Sequence, residues 1–221
     1  MYETIKEKLD QLEIDMLLFT SRVFPVADDI KRALNLSLSK IDNENILNLK
    51  LRLPKCVQIL KWNVPANLIN EAYNWEYLTT SDYSDNPSAK RKNIFMKTVN
   101  KSEAYLPQSL WQIANYDNSE SFLIKNFLTG EYLYPNILLN NDRREVFTWN
   151  WEVIEKSFLW VVEIVDDVTV KFKSLYFHEY LIVEDTLNIN SIKPILTTIQ
   201  QDCGSKCNWI LSTASNFTSG P

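Results

Sequence analysis

The sequence predicts a mainly β protein, a β-trefoil of three four-stranded repeats preceded by a small α-helical N-terminal region. Three observations carry this. Apolar residues recur at helical spacing up to about residue 52 and then give way to short runs rich in β-branched and aromatic residues. The tripeptide Glu-Tyr-Leu occurs three times, at Glu76-Tyr77-Leu78, Glu131-Tyr132-Leu133 and Glu179-Tyr180-Leu181. A second marker, Trp111-Gln112-Ile113, Trp160-Val161-Val162 and Trp209-Ile210-Leu211, repeats with 49 residues between tryptophans both times.

The helical part comes first. Ile5, Leu9, Leu12, Met16, Phe19 and Val23 follow one another at steps of three and four and share a helix face. Pro25 is expected to break that helix, since proline lacks the N–H that the helix interior needs. A second segment runs from about Ala27 with Ile30, Leu34 and Leu38 on one stripe, and a third apolar run covers Ile46 to Leu53 before Pro54 stops it. The Ile5, Leu9, Leu12, Met16, Phe19 face is expected to dock, because helices of this length are marginal alone in water. The boundary is set at Pro54: residues 1–54 form the helical region and 55–221 the trefoil domain.

Each Glu-Tyr-Leu closes a twelve-residue strand, turn and strand: NLINEAYNWEYL from Asn67, FLIKNFLTGEYL from Phe122 and VKFKSLYFHEYL from Val170. One further strand lies between the markers of each unit, at Ile94–Val99, Glu145–Trp149 and Ile195–Gln200. Four strands in triplicate fit six strands closing a barrel and three hairpins capping it, with a large apolar side chain at each matched barrel position. Trp111, Trp160, Trp209, Tyr77, Tyr132, Tyr180, Leu78, Leu133 and Leu181 are therefore expected to be buried. A propeller needs more copies of such a unit, and a two-sheet sandwich gives no reason for a threefold period.

Composition narrows the function. Hydrophobic residues make up 45% and charged residues 23%, as in globular proteins generally. With three glycines in the chain, glycine-rich phosphate loops have nothing to be built from. A net charge of −5 repels a phosphate backbone, so no nucleic acid is expected as a partner. The basic runs Lys90-Arg91-Lys92 and Arg143-Arg144 read as solvated loops. No apolar stretch reaches the length of a transmembrane segment. The first twenty residues carry Glu3, Glu7, Asp10, Glu13 and Asp15, unlike the basic start and apolar centre of a secretory leader. Cys203 and Cys207 are spaced for a short disulfide ahead of a strand, free thiols being the other reading, and Cys56 is left over. Asn35, Asn100 and Asn216 open glycosylation sequons.

The units are distantly similar to the ricin-B-like trefoil pattern, but where that lectin signature has Gln two residues before the Trp this chain has Ser109, Phe158 and Cys207. Phe122-Leu123-Ile124-Lys125-Asn126, Gly130-Glu131-Tyr132-Leu133-Tyr134 and Asp142-Arg143-Arg144-Glu145-Val146-Phe147-Thr148-Trp149 more closely resemble secreted insect proteins in which a helical region precedes a trefoil. These are above all mosquito salivary proteins of the TRIO type and, more distantly, the low-molecular-weight haemolymph lipoproteins of moths. The resemblance implies a secreted, extracellular, non-enzymatic protein of saliva or haemolymph. It implies no known ligand.

The residues point the same way. His178, the one histidine, stands in the turn before the third Glu-Tyr-Leu with no nucleophile or orienting acid nearby in sequence. Cysteine and histidine lack the paired close spacings of zinc sites, so neither metal nor cofactor is expected. Glutamates repeated around a barrel do not share one cleft, as an acid and base pair must; they are expected to serve the hairpin turns. Trp75, Trp149 and Trp151 break the threefold pattern, and with Tyr134 and His178 they are the candidate binding residues, a flat apolar face with a polar edge suiting a protein or a glycan partner. Divergence of the turns at Asn74-Trp75, Thr129-Gly130 and Phe177-His178 favours a protein partner, or a single glycan site, over three equivalent lectin sites.

Overall fold

The computed structural model describes residues 2–14, 19–36, 40–73, 76–81, 91–98, 106–117, 120–139, 142–150, 152–185, 193–200 and 203–213, with the side chains of 12–22 and 37–43 outside that description. Trp75, Trp151, Met16 and the side chains of Leu12 and Phe19 thus lie outside the described residues.

Four helices, α1 (Tyr2–Ile14), α2 (Phe19–Leu36), α3 (Lys40–Leu51) and α4 (Lys55–Lys61), precede twelve strands. Two differ from the sequence expectation, both at proline. Helix α2 runs through Pro25, whose ring lies on the exposed face while Val23, Val26, Ala27 and Ile30 are buried on the other. Proline in a helix costs about 3 kcal/mol, and burying several large side chains, at about 1.5 to 3 kcal/mol each, offsets it. Pro54 opens a helix where a strand region was expected. As the N-cap of α4 it loses no needed bond, and Asp167, from the far side of the chain, accepts from the Lys55 N–H through its carboxylate (2.9 Å) and from the Cys56 N–H through its carbonyl (2.8 Å). At the other end Asn63 takes a left-handed φ of 52°, which lets the Val64 N–H reach back to the Ile59 carbonyl (3.0 Å).

The helices share a core with the sheet. Ile5 and Leu9 of α1, Val23 and Ile30 of α2, Leu49 of α3 and Val57 and Leu60 of α4 join one apolar cluster with Trp111, Trp160 and Trp209. Phe24 meets Phe122 at 5.7 Å between ring centroids, and buried Lys61 pairs with Asp28 at 2.8 Å. Cys56 is also buried here, its thiol pushed up to about 12 by burial, which leaves it without nucleophilic thiolate at neutral pH.

The strands are β1 (Ala66–Asn70), β2 (Glu76–Thr80), β3 (Arg91–Thr98), β4 (Leu110–Asn115), β5 (Ser121–Asn126), β6 (Tyr132–Pro135), β7 (Val146–Trp149), β8 (Trp160–Ile164), β9 (Thr169–Ser174), β10 (Tyr180–Val183), β11 (Ile195–Thr198) and β12 (Trp209–Ser212). Pairings β1–β4, β4–β5, β5–β8, β8–β9, β9–β12 and β12–β1 close a ring, all antiparallel. Pairings β2–β3, β6–β7 and β10–β11 form three hairpins beside it. Trp111, Trp160 and Trp209 are fully buried, and each indole N–H donates to the leucine carbonyl of a Glu-Tyr-Leu: Leu78 at 2.8 Å, Leu133 at 3.2 Å and Leu181 at 3.0 Å. A buried indole needs such an acceptor, which ties the two repeated markers to one contact. Leu78, Leu133, Leu181, Tyr77 and Tyr180 are buried as well, whereas Tyr132 is half-buried at the rim.

The repeated glutamates do more than serve their turns. Glu131 and Glu179 accept through their carbonyls from the Asn126 and Ser174 N–H across the turn, but their side chains reach sideways to the neighbouring hairpin. Lys92 of the first hairpin approaches Glu131 of the second at 3.7 Å, Arg144 of the second pairs with Glu179 of the third at 3.1 Å, and Lys193 of the third pairs with Glu76 of the first. Threonine hydroxyls of Thr148 and Thr197 donate to Glu131 and Glu179. Lys90 lies outside the described residues; the other residues of the basic runs are not solvated loop residues. Lys92 and Arg144 are ion-paired, Arg91 covers the Phe147 ring at 5.1 Å, and Arg143 pairs with Glu184. A charge run shows only its chemistry in sequence, while its ion-pair partners here stand 35 to 41 residues away.

Candidate functional site

Outside the shared core, the second and third hairpins carry satellite clusters. Beside the second, Tyr134, Phe147 and Phe158 are buried together with half-buried Tyr132, Trp149, Leu123 and Ile154 around them. The Tyr134 ring sits 4.6 Å from Phe158, 5.3 Å from Phe147 and 5.3 Å edge-on from Trp149, between centroids. The strands dictate this: Tyr134 and Phe147 are register partners on β6 and β7, and Trp149 lies two residues further on the same face as Phe147. Burial raises the Tyr134 phenol above its ordinary range, so it stays protonated at neutral pH.

One cation joins this cluster to the third hairpin. Arg144 donates from Nη1 to the carbonyls of Asn136 (3.2 Å) and Ile137, donates from Nε to Glu179, and lays its guanidinium 3.9 Å over the Phe177 ring. Planar, always charged and five-donor, arginine can hold a carboxylate, two carbonyls and an aromatic face at once. The loop it grips is further shaped by the Asn136 side chain, whose Oδ1 accepts from the Leu138 N–H (3.2 Å), and by the Asn136 N–H, which donates to the Glu145 carbonyl (2.8 Å). Ile137, Leu138 and Leu139 are consequently held outward, 64%, 72% and 55% exposed. Tyr176, also exposed, stands edge-on to Phe177 at 4.8 Å.

Of the residues singled out from the sequence, Tyr134 and Trp149 come together, Tyr134 as a buried member and Trp149 half-buried at the edge. His178 lies at the end of the turn that Arg144 braces. Its side chain is exposed, its φ is +59°, and its N–H donates to the Ser174 carbonyl at 3.0 Å. Gly130 holds the same place in the second hairpin, with φ +70° and its N–H on the Asn126 carbonyl at 3.0 Å. The position therefore requires a left-handed residue first. Sequence reading missed Arg144 and the Ile137-Leu138-Leu139 display. The available signal was an apolar run between Pro135-Asn136 and Asn140-Asn141-Asp142 that fits neither strand alternation nor helix spacing.

Beside the third hairpin, Cys207 is disulfide-bonded to Cys203, with Cα atoms 5.7 Å apart, and packs with Tyr180 and Ile182. The Tyr180 phenol is raised by burial and by its hydrogen bond to Glu163 (2.9 Å). Among the described residues no group of three or more His, Cys, Asp or Glu side chains is arranged to hold a metal ion, and no helix is long and apolar enough to cross a membrane.

No protein-family model matches the sequence, and no curated protein matches it. Solved structures do match its fold. The designed threefold-symmetric protein ThreeFoil aligns with a TM-score of 0.55 at 12% identity, over 67% of this chain and 98% of its own. A salivary protein from Culex quiquefasciatus of the Cysteine and Tryptophan-Rich family aligns with a TM-score of 0.53 at 18% identity, over 68% of this chain and 93% of its own. A Polyporus squamosus lectin bound to the epitope Neu5Acα2-6Galβ1-4GlcNAc aligns with a TM-score of 0.51 at 14% identity, over 66% of this chain and 48% of its own. At these identities the likeness is one of fold: the chain carries a β-trefoil.

Proposed function

We propose that this chain is a secreted, non-enzymatic binding protein of the saliva or haemolymph of a blood-feeding insect, and that it docks a host or self protein through the corner organised by Arg144. Residues 1–54 are the helical arm and 55–221 the trefoil, read as three four-stranded units, with α4 at the base of the trefoil. The observation that carries the reading is the Ile137-Leu138-Leu139 display. Three consecutive aliphatic side chains left in water are unfavourable for a free monomer, yet this loop is pinned by Arg144 and Asn136 in that presentation. A pre-ordered apolar projection loses little entropy on binding, and a protein groove is the partner that covers it. The likeness to a Culex salivary protein supports the secreted reading, and a net charge of −5 argues against a nucleic-acid partner.

The alternative is a carbohydrate-binding, lectin-like trefoil. Half-buried Trp149, backed by Tyr134, favours it, because a supported indole face suits sugar stacking, and a trefoil lectin is among the structural neighbours. A glycan array run beside pull-down from host tissue extract, with Ile137→Asn/Leu138→Asn and Trp149→Ala variants, separates them. Capture of a protein that the double variant loses, with a silent array, is expected. Glycan binding lost in Trp149→Ala and kept in the double variant would replace the protein reading with the lectin one.

A further inference from the structure

The acceptor sequence Asn35-Leu36-Ser37 falls at the last turn of α2, with Ser37 itself outside the described residues. The buried stripe of that helix is Val23, Val26, Ala27, Ile30 and Ala33, at helical spacing. Asn35 comes seven residues after Asp28 and three after Arg32, so the three share the opposite face, and all three are exposed. Leu36 is 58% exposed as well, so no buried side chain has to move to make room beside Asn35.

Other asparagines hold the fold together through their amides. Asn67, Asn70 and Asn126 are buried, and their Nδ2 groups donate to the carbonyls of Ser109 (2.9 Å), Lys206 (2.8 Å) and Gln108 (2.9 Å). A substituent on any of those nitrogens would break a buried hydrogen bond. The Asn35 side chain makes no hydrogen bond among the described residues, and its amide is open to solvent. The helices meet the trefoil at Asp167, ahead of β9, whereas Arg144 holds Phe177 and Glu179 past the other end of that strand. A group on the exposed face of α2 therefore stands away from the docking corner.

We propose that Asn35 carries an N-linked oligosaccharide. Secretion is the premise, because the transferase and its lipid-linked donor meet only chains entering the secretory route. Asn35 Nδ2 bonds to the anomeric carbon of the donor oligosaccharide, the bond from that carbon to the lipid-linked diphosphate breaks, and the nitrogen's proton leaves with the diphosphate. The transferase reads the asparagine and the Ser37 hydroxyl on extended chain, so the fold decides only whether the product is accommodated.

The test is to express the full chain behind a cleavable secretory leader in cultured insect cells. Peptide-N-glycosidase A digestion in heavy-oxygen water then turns each glycosylated asparagine into a labelled aspartate, which mass spectrometry maps by position. Labelling of Asn35 in most secreted chains is expected, with loss in Ser37→Ala and retention in Ser37→Thr. Site-resolved mapping keeps Asn35 apart from Asn100 and Asn216, which lie outside the described residues. Asn35→Gln, which removes no bond, is expected to melt at the same temperature as the enzymatically deglycosylated chain. An unlabelled Asn35 in secreted chain whose Cys203–Cys207 disulfide has formed would overturn the glycosylation and leave the secreted reading standing. Label that persists in Ser37→Ala, or a clear loss of stability in Asn35→Gln, would also overturn it. Chain retained in the cell with those thiols reduced, yet labelled at Asn35, would instead remove the secreted reading and keep the acceptor site; retained and unlabelled chain would overturn both.

Discussion

Beside the second hairpin Phe158 closes an aromatic cluster with Tyr134 and Phe147, and beside the third Cys207 closes a disulfide with Cys203 against Tyr180 and Ile182. Phe158 and Cys207 occupy the same place. Each ends a short 3-10 helix, Lys156–Phe158 or Gly204–Cys207, two residues ahead of a barrel tryptophan. At the first hairpin that place belongs to Ser109, in hydrogen bond with the Thr79 hydroxyl at 3.2 Å. One framework position is thus filled by an aromatic ring, a cross-link or a hydroxyl pair, while the indole-to-leucine contact beneath is the same all three times. The difference separates what closes the barrel, which is repeated, from the buried fillings packed beside each hairpin, which differ from unit to unit.

If that division holds, damage beneath the clusters should be large and equal. Trp160→Ala and Trp209→Ala each remove a fully buried indole and leave a leucine carbonyl without its donor, so each should cost about 3 to 5 kcal/mol. Urea unfolding of the two variants measures this. Losses within about 1 kcal/mol of each other would match the division; a loss in one that falls well below that range would mean the two positions are not equivalent.

Damage within the clusters should be smaller and unequal. Phe158→Ala opens a void against Tyr134 and should cost about 3 kcal/mol. Removing the disulfide with Cys203→Ser/Cys207→Ser releases only a short loop, worth about 2 kcal/mol by chain entropy. Denaturant midpoints of the two variants check the order. A disulfide loss exceeding the Phe158 loss would show that the third hairpin depends on its cross-link more than the second does on its ring stack.

The same division governs what could be read from sequence. The barrel layer was legible because ring closure demands the same bulky residue at matched places, so Trp111, Trp160 and Trp209 stand out with Leu78, Leu133 and Leu181. Helix α4 and the passage of α2 through Pro25 were not, since proline reads as a stop and only Asp167 and the buried α2 face decide otherwise. The Arg144 corner was half legible. Tyr134, Trp149 and His178 drew notice as single residues, but Arg144 acquires its role from Asn136, Ile137, Phe177 and Glu179, which only the folded chain brings together.

The smallest effect concerns the turns themselves. Gly130 and His178 hold matching left-handed positions, φ +70° and +59°, and both N–H groups close the same bond to the carbonyl four residues earlier. Glycine adopts this conformation freely, whereas a side chain there is strained by roughly 1 kcal/mol or more. Gly130→Ala should therefore destabilise by about 1 kcal/mol, a loss set by backbone strain because an added Cβ meets nothing closer than Lys125 Cε at 3.5 Å. In the opposite direction His178→Gly relieves strain but loosens the unfolded chain, and should stabilise by no more than about 0.5 kcal/mol. Thermal melts of the two variants measure both signs. A clear destabilisation by His178→Gly would show that the imidazole makes a contact the turn depends on. If stability holds or rises as expected while partner capture falls, the histidine is a binding residue kept at a position where glycine folds equally well, and the third turn has given up a little stability for recognition.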